Sequence, residues 1–436
     1  MGRRQKIRRT VLGVIGACFA LFVWSFGSFV LKDNGDTRQQ RAVTWARNHK
    51  LGPLVDVTER LKYGRPPADK AATSLGLAPA QPLPVTTEAE PAPTTTAVTT
   101  TPAPTPAPAT VPATAVSKSP TVSKSTTVTP TTVPPTTVPP TTTTVAAYKI
   151  APANVAPLVQ PALENEGVWH ALASAGGAEV MWATSLRPLP EAPAVVGSFA
   201  IIDQTLLTAA MFNGSDIPGG TNWKLGNRVP KDLQPMLVGA FNGGFRFEHI
   251  KGGYKTEGKV IRELKVGQGT VAVSKAGKVT LGEFGRDMTD DGNWVSFRQN
   301  LPLLVDNGKS MVESHGETWW GADFGNVLFV LRSSICQLAD GRLMYGAVGK
   351  VDAKTLAASL VNMGCQRALQ LDINGTWPTF HTFPVEADGT QHGTALDKRM
   401  GGSRDRYLTG STREFFSFFD SAALPADNII VKTEAS

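Results

Sequence analysis

An α+β fold is predicted: a single large mixed-sheet domain behind an N-terminal transmembrane helix and a disordered Thr/Pro-rich stalk. Three observations lead there. Residues 11–31 hold no charged side chain, residues 71–147 are dominated by Thr, Pro, Ala and Val, and residues 148–436 alternate short apolar runs with Gly, Asn and Asp. That last stretch also holds seven of the nine tryptophans, enough apolar bulk for one large core.

Residues 1–10 form a basic tail in which Arg3, Arg4, Lys6, Arg8 and Arg9 supply five of the seven net positive charges. The remainder is nearly neutral, so nothing argues for a nucleic-acid partner. Residues 11–31 are long enough to cross the hydrocarbon core of a bilayer. The basic tail places residues 1–10 in the cytoplasm and the C-terminal domain outside, in a single-pass cell-membrane protein. A cleaved signal peptide is the alternative. Residues 32–70 alternate Val43, Trp45, Leu51, Leu54, Val55, Val57 and Leu61 with Arg, Lys and Glu, the pattern of one or two amphipathic helices near the membrane surface. Residues 71–147 bury too little to offset their ordering entropy, and their prolines keep them extended, which reads as a stalk crossing a cell wall.

In residues 148–436, strands are expected at Ala178–Leu186, Val195–Asp203, Pro235–Phe241, Thr270–Ser274, Lys278–Phe284, Asn326–Cys336 and Arg342–Val348. One helix is expected, capped by Asp352, with Leu356, Leu360, Val361 and Met363 inward and Gly364 as its stop. Cys336 and Cys365 are either a disulfide or two small buried thiols.

Candidate chemistry collects in the stretch Gly364–Pro384. A short apolar strand there delivers Asp372 and Asn374 into a turn at Asn374-Gly375, and Asp372 is the first candidate for a working carboxylate. Glu257 and Asp323 rank behind it. His381 is a candidate proton donor near neutral pH. Trp377 offers an aromatic face for a sugar ring. Three earlier stretches share this character: Val238–Phe245 with Asn242 and two glycines, Phe297–Gly308 with Gln299-Asn300-Leu301-Pro302, and Arg332–Cys336, with an arginine inside an apolar strand. A strand arginine is costly unless it is paired. No zinc-type spacing occurs; a divalent cation on Asp372 and Asn374 stays open.

In order and spacing these stretches resemble the phosphodiester glycosidase family over roughly Val180 to Tyr407. Asn242 falls on the family's NGG-F asparagine, Gln299–Pro302 on its QN-P segment, Arg332 on the arginine opening its R-[ST]-[AS]-I-G strand, Asp340-Gly341 on its DG hairpin, and Asp372 on the aspartate of its LDGGGSS loop. Ile373, Asn374, Gly375, Thr376 and Trp377 replace the family's glycine-serine run, and Cys336 replaces a glycine. The resemblance implies a hydrolase that cleaves the glycosidic bond of sugar-1-phosphodiesters, here in the cell envelope. Asp372 and His381 would be catalytic. Arg332 and Arg404 would cradle the phosphate, and Asn242, Asn374 and Trp377 would hold the sugar. The expected partner is an envelope glycan or sugar-phosphate polymer. A non-catalytic carbohydrate-binding or scaffolding module, using Trp319, Trp320 and Trp377, is the alternative.

Overall fold

The computed structural model describes residues 3–32, 37–64, 70–77, 150–315, 320, 329–374, 376–386 and 388–432. The chain opens with α1 (Arg3–Leu31), α2 (Arg38–Asn48) and α3 (Gly52–Tyr63). The head begins with β1 (His170–Ala175), β2 (Ala178–Leu186), β3 (Gly197–Ile202), β4 (Leu207–Phe212), β5 (Leu237–Asn242), β6 (Tyr254–Thr256), β7 (Lys259–Arg262), β8 (Gly269–Ser274), β9 (Val279–Glu283) and β10 (Trp294–Gln299). It continues with β11 (Val305–Asp306), β12 (Lys309–Ser310), α4 (Val312–His315), β13 (Val330–Leu338), β14 (Leu343–Val351), α5 (Ala353–Asn362), β15 (Cys365–Ile373), β16 (Phe380–Thr382), β17 (Thr394–Ala395), α6 (Arg406–Thr409), β18 (Phe415–Asp420) and α7 (Ile429–Lys432). The expected α+β class is what this describes.

The strands form three sheets, ordered β1-β2-β3-β14-β13-β15-β11-β12, β7-β6-β10-β8-β9 and β17-β16-β5-β18-β4. Alternation along the central strands sorts their side chains between two cores. Met181 and Ala183 on β2, Leu331 and Ile335 on β13, and Tyr345 and Ala347 on β14 join Phe241, Val271, Leu281 and Phe418 in a core shared by all three sheets. Their neighbours Trp182, Cys336, Met344 and Val348 point the other way, onto Leu356, Ala357 and Leu360 of α5. Strands buried on both faces read as continuous apolar runs, which is why these were legible.

Local chemistry sets the element ends as expected. Asp352 caps α5 by accepting from the Thr355 amide at 2.7 Å, and Gly364 follows at φ 87°. The β8–β9 turn closes with Gly277 at φ 65°, its amide donating to the Ser274 carbonyl at 2.9 Å. Residues 71–77, placed by composition at the start of the Thr/Pro stretch, lie against the head. The Ala72 amide donates to Pro193 O at 2.9 Å, and Leu77 bridges to Asp397. Residues 78–149 fall outside the described residues.

Cys336 on β13 and Cys365 on β15 are bonded as a disulfide, resolving the pair left open by the sequence. The bridge spans a sequence separation of 29, and closing a loop of that size in the unfolded chain is worth about 3–4 kcal/mol. Cys365→Ser is therefore expected to lower the melting temperature. Scanning calorimetry checks this, and an unchanged melting point would show that the bridge contributes nothing.

Candidate active site around Asp372

The site forms where the eight-stranded sheet meets β5 and β18. Gly243 joins them: its carbonyl accepts from the Asp372 amide at 3.2 Å, and its amide donates to the Glu414 carbonyl at 3.0 Å. Only glycine fits this crossing, because an added Cβ would lie 2.3 Å from Glu414 Oε1. Gly244 donates to that same oxygen at 2.9 Å, and Arg298 Nε pairs with it at 2.5 Å. Asn300 locks the next turn, accepting from the Phe245 amide at 3.1 Å and donating to Gln370 O at 2.5 Å.

Asp372 is 5% exposed. Its Oδ1 accepts from the Ile373 amide at 3.1 Å, and its Oδ2 pairs with Arg413 Nη2 at 2.7 Å. Burial pushes the carboxyl up to about 6, with the Arg413 guanidinium limiting the rise and Glu414 adding to it. Arg413 also donates to Gly244 O at 2.9 Å and lies 5.0 Å over the Trp377 ring. Its Nε is buried and has no protein acceptor among the described residues. Asn374 turns the chain at φ 79°, as the Asn-Gly turn predicts.

A small pocket of about 20 Å³ opens onto these groups. Asp372, Ile373, Asn374, Trp377, Arg413, Arg246 and His249 of the head line it together with Val43, Thr44 and Arg47 of α2. Arg246 donates to Asp216 at 2.7 Å, Glu248 at 2.6 Å and Asn48 of α2 at 3.2 Å.

Of the residues expected at the site, Asp372, Asn374 and Trp377 line this pocket. Asn242 stands behind it. Its Nδ2 donates to Ser333 Oγ at 3.0 Å, its Oδ1 accepts from Tyr345 OH and the Thr379 amide at 2.9 Å each, and Ser333 Oγ donates to the Asp372 carbonyl at 2.7 Å. Asn242 thus positions the Asp372 backbone. Arg332, expected in the phosphate cradle, lies one residue out of phase with Ser333 and projects to the α5 side. There it donates to Val351 O at 2.8 Å, Trp320 O at 2.9 Å and Gln370 Oε1 at 3.0 Å. It does find partners, and those among the described residues are carbonyl-type oxygens. Arg404 is an exposed side chain 3.9 Å from Asp405, outside the pocket lining.

His381, expected as a proton donor, sits within β16, paired in register with Ala240 and Ala395. Burial, with Arg406 nearby, lowers it to about 4, so it is neutral at physiological pH. A histidine lowered on folding binds fewer protons folded than unfolded between about 6.5 and 4, so its contribution to stability is lost as pH falls through that window. Asp372 acts oppositely between its ordinary value and about 6. The His381 part is therefore read as the difference between wild type and His381→Leu in denaturant titrations at pH 7 and pH 4.5. The variant is expected to lose less stability on acidification, and equal losses would contradict a buried neutral imidazole.

Glu257 accepts from the Leu225 amide at 2.8 Å, away from the pocket, and Asp323 and Trp319 lie outside the described residues. Trp320 is 1% exposed in the core, and Trp377 lies under the Arg406 and Arg413 guanidinium groups, so neither offers an open face to a glycan. Among the described residues no three His, Cys, Asp or Glu side chains gather as a metal site. The cation facing Asp372 is Arg413. Sequence reasoning missed Arg413 and Glu414. The available signal was a charged Arg-Glu pair opening the apolar run Phe415–Phe419.

No curated protein matches the chain in sequence. Among solved structures, the zebrafish N-acetylglucosamine-1-phosphodiester alpha-N-acetylglucosaminidase catalytic domain, auto-inhibited by its pro-peptide, is similar at 15% identity and a TM-score of 0.38, covering 58% of this chain and 87% of that one. A hypothetical protein from Synechocystis is similar at 10% identity and a TM-score of 0.37, covering 57% and 64%. The phosphodiester glycosidase family model matches residues 236–372, a span holding Asn242, Gly243, Arg298, Asn300, Arg332 and Asp372. Those residues, which supply the crossing at Gly243 and the buried carboxyl at the end of β15, are where the chain matches the phosphodiester glycosidase family.

Proposed function

We propose that the head hydrolyses the glycosidic bond of sugar-1-phosphodiesters on the outer side of a membrane. One observation carries this reading: a buried carboxyl held near 6 at the end of a family-matched strand, ion-paired to an arginine whose Nε has no protein acceptor among the described residues. In the reaction, the bond between the anomeric carbon and the phosphate oxygen breaks. Water adds its hydroxyl to that carbon, and its remaining proton ends on the released phosphomonoester. At pH 7 Asp372 is mostly ionised, as an oxocarbenium-like centre or a covalent intermediate requires. Arg413 Nε and the Arg246 nitrogen now bonded to Asn48 are the donors for phosphate oxygens. A pocket of about 20 Å³ does not hold a sugar phosphate, so substrate entry displaces side chains of α2.

The location rests on three features. The span Leu12–Leu31 of α1 is long and apolar enough to cross a membrane, the basic cluster precedes it, and a disulfide joins Cys336 to Cys365, as suits an oxidising compartment. The test is to incubate the purified full chain in detergent with a panel of sugar-1-phosphodiesters, with and without a chelator. Free sugar and phosphomonoester are expected in equal amounts. Silence across the panel, with retention of the glycans in a pull-down, would favour the binding module.

A further inference from the structure

The head is tied to the N-terminal helices by contacts that a stalk would not supply. α2 packs on α1: the Trp45 ring lies 4.8 Å from Phe22 and 5.0 Å from Phe26, Trp45 Nε1 donates to Ser25 Oγ at 3.2 Å, and Arg41 Nε caps the helix end at Val30 O at 2.7 Å. The other side of α2 belongs to the head. Gln40, buried, donates to the Thr376 carbonyl, Asn48 accepts from Arg246, and Val43, Thr44 and Arg47 line the Asp372 pocket. A second attachment follows at residues 72–77. The Gly76 amide donates to Ser185 Oγ at 3.3 Å, the Lys398 amide donates to Gly76 O at 3.0 Å, and Leu77 packs on the three-sheet core. Gly76 fits there without a side chain, since a Cβ would lie 2.3 Å from Asp397 Oδ2. Past the Thr/Pro segment the chain is on the head again by Ile150, whose carbonyl accepts from Arg342 at 3.2 Å.

We infer that residues 38–77 dock the head onto the outer end of α1, so that the Thr/Pro segment adds no reach and the Asp372 site works at the membrane surface on a lipid-linked sugar-1-phosphodiester. The identity of the substrate rests on the hydrolase reading above; the docking does not. One helix, roughly 10 Å across, separates the outer turns of α1 from the pocket. α3, which continues from α2, leaves Leu54, Val57 and Leu61 at 61%, 52% and 80% exposure at helical spacing. This stripe joins, through α2, a helix whose own apolar side chains are exposed along their length, and lipid is the surface that covers both. The site thereby meets substrates presented by the bilayer rather than polymers far out in the wall.

The test uses the full chain in vesicles, with a protease site inserted between residues 84 and 146. After cleavage the head is expected to sediment with the vesicles, held by residues 38–77, and its appearance in the supernatant would overturn the docking. Gly76→Val, which collides with Asp397, is expected to increase the released fraction; retention equal to wild type would remove the 72–77 attachment. For the substrate, a sugar-1-phosphodiester of a long-chain alcohol is placed either in the enzyme's own vesicles or in separate ones. Turnover is expected to be at least about tenfold faster in the shared vesicles, through the raised effective concentration. A short-chain soluble analogue should be cleaved equally in both arrangements. Equal rates on the long-chain substrate would overturn the membrane-presented class. Silence on both substrates would overturn it together with the hydrolase reading, while the sedimentation result judges the docking by itself.

Discussion

Asp372→Asn is expected to lower kcat by about 10² or more, the usual contribution of a positioned acid or base, with little change in shape at the end of β15. The same change removes the counter-ion of a buried arginine. Leaving one partner of a buried pair alone costs about 3–5 kcal/mol, so a loss of folded protein has to be separated from a loss of chemistry. The pH profile does this. A carboxyl that burial holds near 6 gives wild-type kcat/KM a limb near pH 6, rising with pH if the ionised form is the active one. The residual activity of Asp372→Asn should lack that limb, which a merely destabilised enzyme would keep at reduced amplitude. Full activity in the variant, or a limb unmoved by it, would take Asp372 out of the mechanism.

The parts of this site that local sequence reveals are those whose geometry is local. Asp372 could be placed because an apolar run followed by Asn-Gly specifies a strand and a turn, and Asn374 takes the positive φ that the turn demands. The helix before it was equally legible, from Asp352 to Gly364. Arg332 shows where such reasoning stops. That it needed partners followed from the cost of burying a charge. Which partners it would meet depended on alternation along β13, which sends Ser333 toward Asn242 and Arg332 toward Trp320, Val351 and Gln370. Arg413 lies 41 residues from Asp372, in the bend that leads into β18 of a different sheet, and their ion pair exists because Gly243 stitches the two sheets together. α2 was visible as an amphipathic pattern, yet the polar residues Gln40, Arg41 and Thr44 are among those it buries. Apolar periodicity carries no signal for a polar face that docks.

The Arg298–Glu414 pair shows the same long-range dependence, and its disruption should give the largest loss of stability. Both side chains are essentially inaccessible, at 1% and 0% exposure, and the 2.5 Å contact joins the end of β10 to the start of β18. Glu414 also receives the Gly244 amide, while Arg298 donates to Gln299 O at 2.5 Å and to Phe245 O, so the pair braces the whole Gly243–Phe245 turn. Glu414→Gln leaves the guanidinium buried without its anion, at a cost of about 3–5 kcal/mol. At roughly 2–4 °C per kcal/mol for a domain near this size, the melting point should fall by on the order of 6–20 °C. The double variant Arg298→Met/Glu414→Leu removes both charges and should recover much of that. It still leaves the Gly244 amide without its acceptor, a residual cost of about 1–3 kcal/mol. Melting temperatures of Arg298→Met, Glu414→Leu and the double close the cycle and give the coupling. Single variants melting within about 2 °C of wild type would mean that water reaches the pair and that the turn under Asp372 is braced by something else.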